Sequence, residues 1–138
     1  LKKYSISTNI LVSKADNASH QNEIDRSYNQ QSYSVSLIEN EIDLTWLQKL
    51  GINYIYIKRN YSSNEIVDPL HNGRLHTDSK IALWISGPLN DVLDYKLYGS
   101  WRDRITKADN DWVEDLKDFS KYELLVQFSY HFTSDILY

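Results

Sequence analysis

With 138 residues, of which 25% are charged and 13% aromatic, the chain has the size of one ordinary domain and the composition of neither a disordered segment nor a helical membrane protein. A net charge of −4 and a pI near 5.5 provide no concentrated basic surface for nucleic acid. The absence of Cys excludes disulfides, thiolate metal sites and cysteine nucleophiles.

Apolar residues recur with a period of two along most of the chain, and no stretch of helical length keeps them at three-and-four spacing with caps. The first predicted strand, about Tyr4 to Lys14, sets Tyr4, Ile6, Thr8, Ile10 and Val12 against Ser5, Ser7, Asn9 and Ser13, with Leu11 breaking the polar row. The second, about Gln30 to Leu44, opposes Tyr33, Val35 and Leu37 to Ser34 and Ser36, then loses phase near Glu39 to Asp43, where a bulge or an early end is expected. The third, about Leu50 to Tyr61, has two partly apolar faces, because Ile55 and Ile57 interrupt its polar row. The fourth, about Ser79 to Gly87, alternates Ile81, Leu83 and Ile85 with Ala82, Trp84 and Ser86.

The fifth strand separates its faces most cleanly: Leu93, Tyr95, Leu97, Gly99 and Trp101 on one side, Asp94, Lys96, Tyr98, Ser100, Arg102 and Arg104 on the other. The sixth, about Tyr122 to Phe132, places Leu124, Val126, Phe128, Tyr130 and Phe132 opposite Glu123, Gln127, Ser129 and His131. The predicted connections alternate in length. Long polar ones follow strands one, three and five (Ala15 to Asn29, Ser62 to Asp78, Thr106 to Lys121), and short ones lie at Thr45 to Lys49 and Gly87 to Asp91. The fold class expected is therefore all-β, an antiparallel up-and-down meander of about six strands forming one domain over residues 1–138, with one decorated end and one trimmed end. Lys-Ala-Asp-Asn occurs at 14–17 and again at 107–110, a repeat that common turn chemistry explains.

Catalytic constellations are missing: there is no nucleophile elbow, no His pair at helical spacing and, with four Gly, no phosphate-cradling loop. The expectation is a protein that is not an enzyme and needs no cofactor or metal. His71, His76 and Asp78 share one predicted loop, and Asp109, Asp111, Glu114 and Asp115 another; both are read as solvated loops, the second lacking the Gly and spacing of a calcium site. The sequons Asn17-Ala18-Ser19 and Asn60-Tyr61-Ser62 are short enough to arise by chance.

Three segments carry a family resemblance: Gly87-Pro88-Leu89-Asn90-Asp91 between two alternating strands, the polar strand exit Lys58-Arg59-Asn60-Tyr61-Ser62-Ser63-Asn64, and the aromatic finish Leu124-Leu125-Val126-Gln127-Phe128-Ser129-Tyr130-His131-Phe132. Together, over about residues 44–132, they resemble bacterial outer-membrane β-barrels of the porin type, in particular those associated with exopolysaccharide export. The resemblance implies an outer-membrane location, passage of a hydrophilic solute or polysaccharide, and contact with the lipid bilayer and lipopolysaccharide. It also implies a final alternating strand recognised by the barrel-insertion machinery, although here the chain continues to Tyr138.

In that setting Asp94, Lys96, Ser100, Arg102, Arg104, Glu123, Gln127 and Ser129 are expected to face a lumen. Leu93, Tyr95, Leu97, Trp101, Leu124, Val126, Phe128, Tyr130 and Phe132 are expected to face lipid. Six strands cannot close a membrane barrel alone, since single-chain bacterial barrels start at eight. The start Leu1-Lys2-Lys3, without Met or an apolar leader, agrees with the C-terminal part of a larger barrel. The rival expectation is a soluble antiparallel sheet binding a ligand or partner through its long loops. It has the same period of two, with the apolar face buried, and it accommodates Ile55, Ile57, Trp84 and Tyr98 on the nominally polar face.

Overall fold

The structure is a computed structural model that describes residues 3–16, 26–62 and 68–131. It is an all-β meander of six antiparallel strands: β1 (Tyr4–Ala15), β2 (Tyr28–Glu39), β3 (Lys49–Tyr61), β4 (Leu75–Asn90), β5 (Leu93–Lys107) and β6 (Phe119–Tyr130). They hydrogen-bond in chain order, each only to its sequence neighbours. Among the described residues β1 and β6 each keep one unpaired edge, so the sheet is open. Phe132 lies outside the described residues.

Several boundaries differ from those the alternation predicts. β2 ends at Glu39, so the connection to β3 is 40–48, longer than the few residues expected at Thr45 to Lys49. It is tied to the ladders on both sides, Asn40 N donating to Lys3 O (3.0 Å) and Gln48 N to Ser86 O (2.9 Å). β4 starts at Leu75, four residues before the expected Ser79, and runs through Gly87-Pro88 to Asn90; the tight turn is Asp91-Val92. The register shifts between Pro88 and Asn90, which makes Leu89 the extra residue of a bulge. Proline, which has no N–H to give a ladder, is tolerated in this inner strand beside that irregularity. At the trimmed end the connections are thus 40–48 and 91–92, still shorter than 16–27, 62–74 and 108–118 at the other.

The last of these holds the one helix among the described residues, α1 (Asp111–Lys117), where the sequence shows no capped helical pattern. Asn110 stands at its N-cap position without a side-chain cap bond, and at seven residues the helix is too short to display a period. Packing sustains it: Val113 is fully buried, Glu114 accepts from the Ala108 N–H (2.8 Å), and Asp118 accepts from the Thr106 N–H (2.6 Å). The connection from Asp68 to Arg74 reaches this segment, where Gly73, at φ 61°, lies against the carboxylate of Asp109. A side chain at Gly73 would meet both the left-handed backbone and Asp109.

Gly51 has a different reason to be Gly. It pairs directly with Trp84, whose indole lies where a Cβ on Gly51 would stand. The ring covers the bare backbone, a known means of restoring packing at a strand glycine. Gly51→Val should displace Trp84 and cost about 1–3 kcal/mol, as overpacking does elsewhere. Denaturant unfolding followed by tryptophan fluorescence would reveal it, and an unchanged midpoint with an unchanged Trp84 signal would refute it.

Candidate functional site

The registers assign every strand residue to one of two faces. On the first lie Asp94, Lys96, Ser100, Arg102, Arg104, Glu123, Gln127 and Ser129, through pairs such as Asp94 with Ser129, Lys96 with Gln127 and Ser100 with Glu123. On the second lie Leu93, Tyr95, Leu97, Trp101, Leu124, Val126, Phe128 and Tyr130, through Leu93 with Tyr130, Tyr95 with Phe128 and Leu97 with Val126.

Exposure is inverted relative to a soluble sheet. On the second face apolar side chains stand open, with Ile6 at 72%, Ile52 at 43%, Leu83 at 53% and Leu124 at 81%. On the first, Asp78, Ala82 and Ser100 are buried, and in β2 Ser32, Ser34 and Ser36 are less exposed than Tyr33, Val35 and Leu37. No second layer of strands or helices covers either face among the described residues; apart from the connections at the decorated end, the 40–48 connection lies against the apolar face at Gly87, where Trp46 O accepts from the Tyr95 hydroxyl (2.9 Å). Along the inner strands the polar side chains therefore partly enclose one another, whereas on β6 and most of β1 both faces are exposed.

The polar face is built around charge. In one row of the ladder Lys80, Arg102 and Lys121 are cross-strand neighbours. Three like charges side by side are destabilising, and a carboxylate in each adjoining row offsets them. Asp78, with a side chain only 6% exposed, accepts from Arg102 Nη2 (2.5 Å) and from Arg104 through Nε (2.5 Å) and Nη2 (2.9 Å). Glu123 receives Lys80 (3.3 Å), Lys121 (2.8 Å) and the Ser100 hydroxyl (3.1 Å). Each carboxylate is thus shared between two cations.

The remaining strand cations of this face are Lys49, Arg59 and Lys96. Arg59 donates to the neutral Gln30 Oε1 (2.9 and 2.7 Å) and stacks 4.3 Å over Tyr28; Lys96 sits 4.7 Å over the Trp84 ring. Asp94, the third carboxylate, faces His131 (2.8 Å). A cleft of about 240 Å³ opens at the centre between Ser36, Asn53, Lys80, Trp84, Lys96 and Tyr98.

Towards the decorated end the same face is roofed by the 68–74 segment. Asp68 holds His71 Nδ1 at 2.8 and 2.9 Å, and Arg74 lies 3.8 Å over the Tyr61 ring, which also meets Tyr28, His71 and His76. Of His71, His76 and Asp78, candidates for one loop site by sequence, the two histidines share only the Tyr61 ring, His71 is held by Asp68 and Asp78 by Arg102 and Arg104, and no group of three or more metal-ligating side chains occurs among the described residues. The acidic run Asp109, Asp111, Glu114, Asp115 is likewise divided, with Glu114 turned to the Ala108 N–H and Asp109 beside Gly73.

The sequence reading omits Asp78 and Lys121 from the polar row because it begins β4 at Ser79 and β6 at Tyr122, and it starts the polar row of β4 at Ala82, leaving out Lys80. The alternation of His76, Asp78 and Lys80 with Leu75, Thr77 and Ser79 carries the signal. It has no apolar phase and so looks like a loop.

The open apolar face has its own geometry. Its upper edge is Val12 on β1, Tyr33 and Tyr56 on β2 and β3, and Ile81, Trp101 and Tyr122 on β4 to β6. Followed through the pairs, Tyr122 stands in the row of Thr8, four residues below Val12. At the lower edge, Tyr4 stands in the row of Val126, and the band on β6 continues four residues further to Tyr130. Beyond the upper edge the face is mainly polar, with Lys58, Asn60, Thr77, Ser79, Asp103 and Ser120, and carries Leu75 and the exposed Ile105 (54%) as its apolar residues.

Compared with known proteins, the chain matches no family model, no curated protein and no solved structure.

Proposed function

We propose that this meander is part of a transmembrane β-barrel of a bacterial outer membrane, with the polar face lining a lumen that passes a hydrophilic solute such as polysaccharide. The carrying observation is the displacement of the apolar band by four residues across six strands. At roughly 3.3 Å per residue and roughly 4.8 Å between strands, such a band lies level only if the strands tilt by roughly 30° from its normal. Closing a sheet into a membrane barrel demands tilts of about 35–45°. A soluble sheet has no requirement for a level band.

Two further features support the reading. Tyr and Trp mark both margins, Tyr33, Tyr56, Trp101 and Tyr122 above and Tyr4, Tyr95 and Tyr130 below, where interfacial girdles stand. In hydrocarbon the free edges of β1 and β6 must be paired, which calls for more strands, from the same polypeptide or from further copies. On this reading the outer face contacts the lipid bilayer and lipopolysaccharide, and assembly passes through the barrel-insertion machinery.

Spin labels at Leu97 and Lys96, neighbours on β5 that point to opposite faces, test it in reconstituted bilayers. The Leu97 label should be relaxed by oxygen, which concentrates in lipid, and the Lys96 label by a water-soluble nickel chelate. A Leu97 label shielded from both reagents, in protein that stays folded without detergent, would establish the soluble sheet with ligand-binding loops instead.

A further inference from the structure

The chain carries four more acidic than basic residues, yet the polar face of its strands carries seven Lys and Arg against three carboxylates. Ten of the fifteen cations lie in strands, but only five of the nineteen acidic residues do. The acidic excess therefore belongs to the segments outside the strands, while the wall that the strands present is cationic. Pairing does not cancel this excess, because Asp78 and Glu123 each serve two cations, Arg59 is matched to the neutral Gln30 amide, and Lys96 to the ring of Trp84.

From this arrangement we infer that the lumen selects anionic solutes, and that a polysaccharide passing it is an acidic one. The inference rests on the membrane-barrel reading and adds the charge of the solute to it. Cations fixed along a water-filled wall between low-dielectric flanks concentrate counter-ions of opposite sign. Acidic side chains at the ends act over no more than a Debye length, about 8 Å at physiological ionic strength, so the wall sets the sign in the interior.

Single-channel recording of the protein in planar bilayers under a tenfold KCl gradient reads that sign directly. The reversal potential should move towards the chloride equilibrium potential, with chloride at least about threefold more permeant than potassium. Oligogalacturonate, a uronic-acid oligomer, should interrupt the current at concentrations where maltodextrin of equal length does not. Lys96→Gln, which breaks no ion pair, should lower the chloride preference, and Lys80→Glu with Lys121→Glu should reverse it.

If the double variant does not fold, Lys96→Gln alone still tests the wall. An open channel that prefers potassium, or one blocked equally by both oligomers, would overturn the inference and leave the barrel standing. Inserted, folded protein without conductance would overturn the channel reading and the inference together.

Discussion

Asp78→Ala should be the most destabilising single substitution on the polar face, costing about 3 kcal/mol, the lower part of the range for breaking a buried ion pair from one side. Asp78 is nearly inaccessible, whereas the arginines it holds are 36% and 19% exposed at the side chain, so water partly re-solvates them when the carboxylate is removed. What remains is Arg102 and Arg104 two residues apart on the same face of β5, beside Lys80 and Lys121 with only Glu123 to offset them. Arg102→Ala should cost less than about 1 kcal/mol, since Arg104 still holds Asp78 through two bonds. Arg104→Ala should fall between the two. Guanidinium unfolding in detergent micelles would rank them, and equal midpoints for Asp78→Ala and Arg102→Ala would show that the shared carboxylate does not organise the cluster.

That cluster also marks where the sequence stops being legible. The meander follows from alternation alone, because apolar residues at every second position across β1, β3, β5 and β6 admit no other element. The partition of β5 and β6 into two faces follows for the same reason, since pairing is local and in chain order. Strand ends are harder to read. His76 to Lys80 alternates without apolar residues, and Gly87-Pro88 has the residues of a turn while lying in a strand whose bulge at Leu89 absorbs the irregularity.

The roof over the polar face was hidden for another reason. Tyr28, Tyr61, Arg74 and His76 come from different strands and a connection, and only their register brings them together. The level apolar band required register as well. Each strand shows its own apolar stretch, but the four-residue displacement emerges only once the strands are aligned.

The sharpest test of that band is an arginine scan along its length on β6, at Tyr122, Leu124, Val126, Phe128 and Tyr130. All five share the open face and are well exposed, Val126 least at 48% and Leu124 most at 81%. In water, arginine at such positions changes stability within about 0.5 kcal/mol, because nothing is buried or unpaired by it. In a bilayer the cost depends on depth, about 2–4 kcal/mol at the midplane and about 0–1 near the interfaces. The band on β6 runs from Tyr122 to Tyr130, so the cost should peak at Val126 and fall on both sides. Unfolding free energies from lipid vesicles would trace this profile. A sheet whose apolar face packs on a protein partner would also penalise arginine, but following the contours of that contact rather than depth. A flat profile, or a maximum at either tyrosine, would remove the membrane from the account.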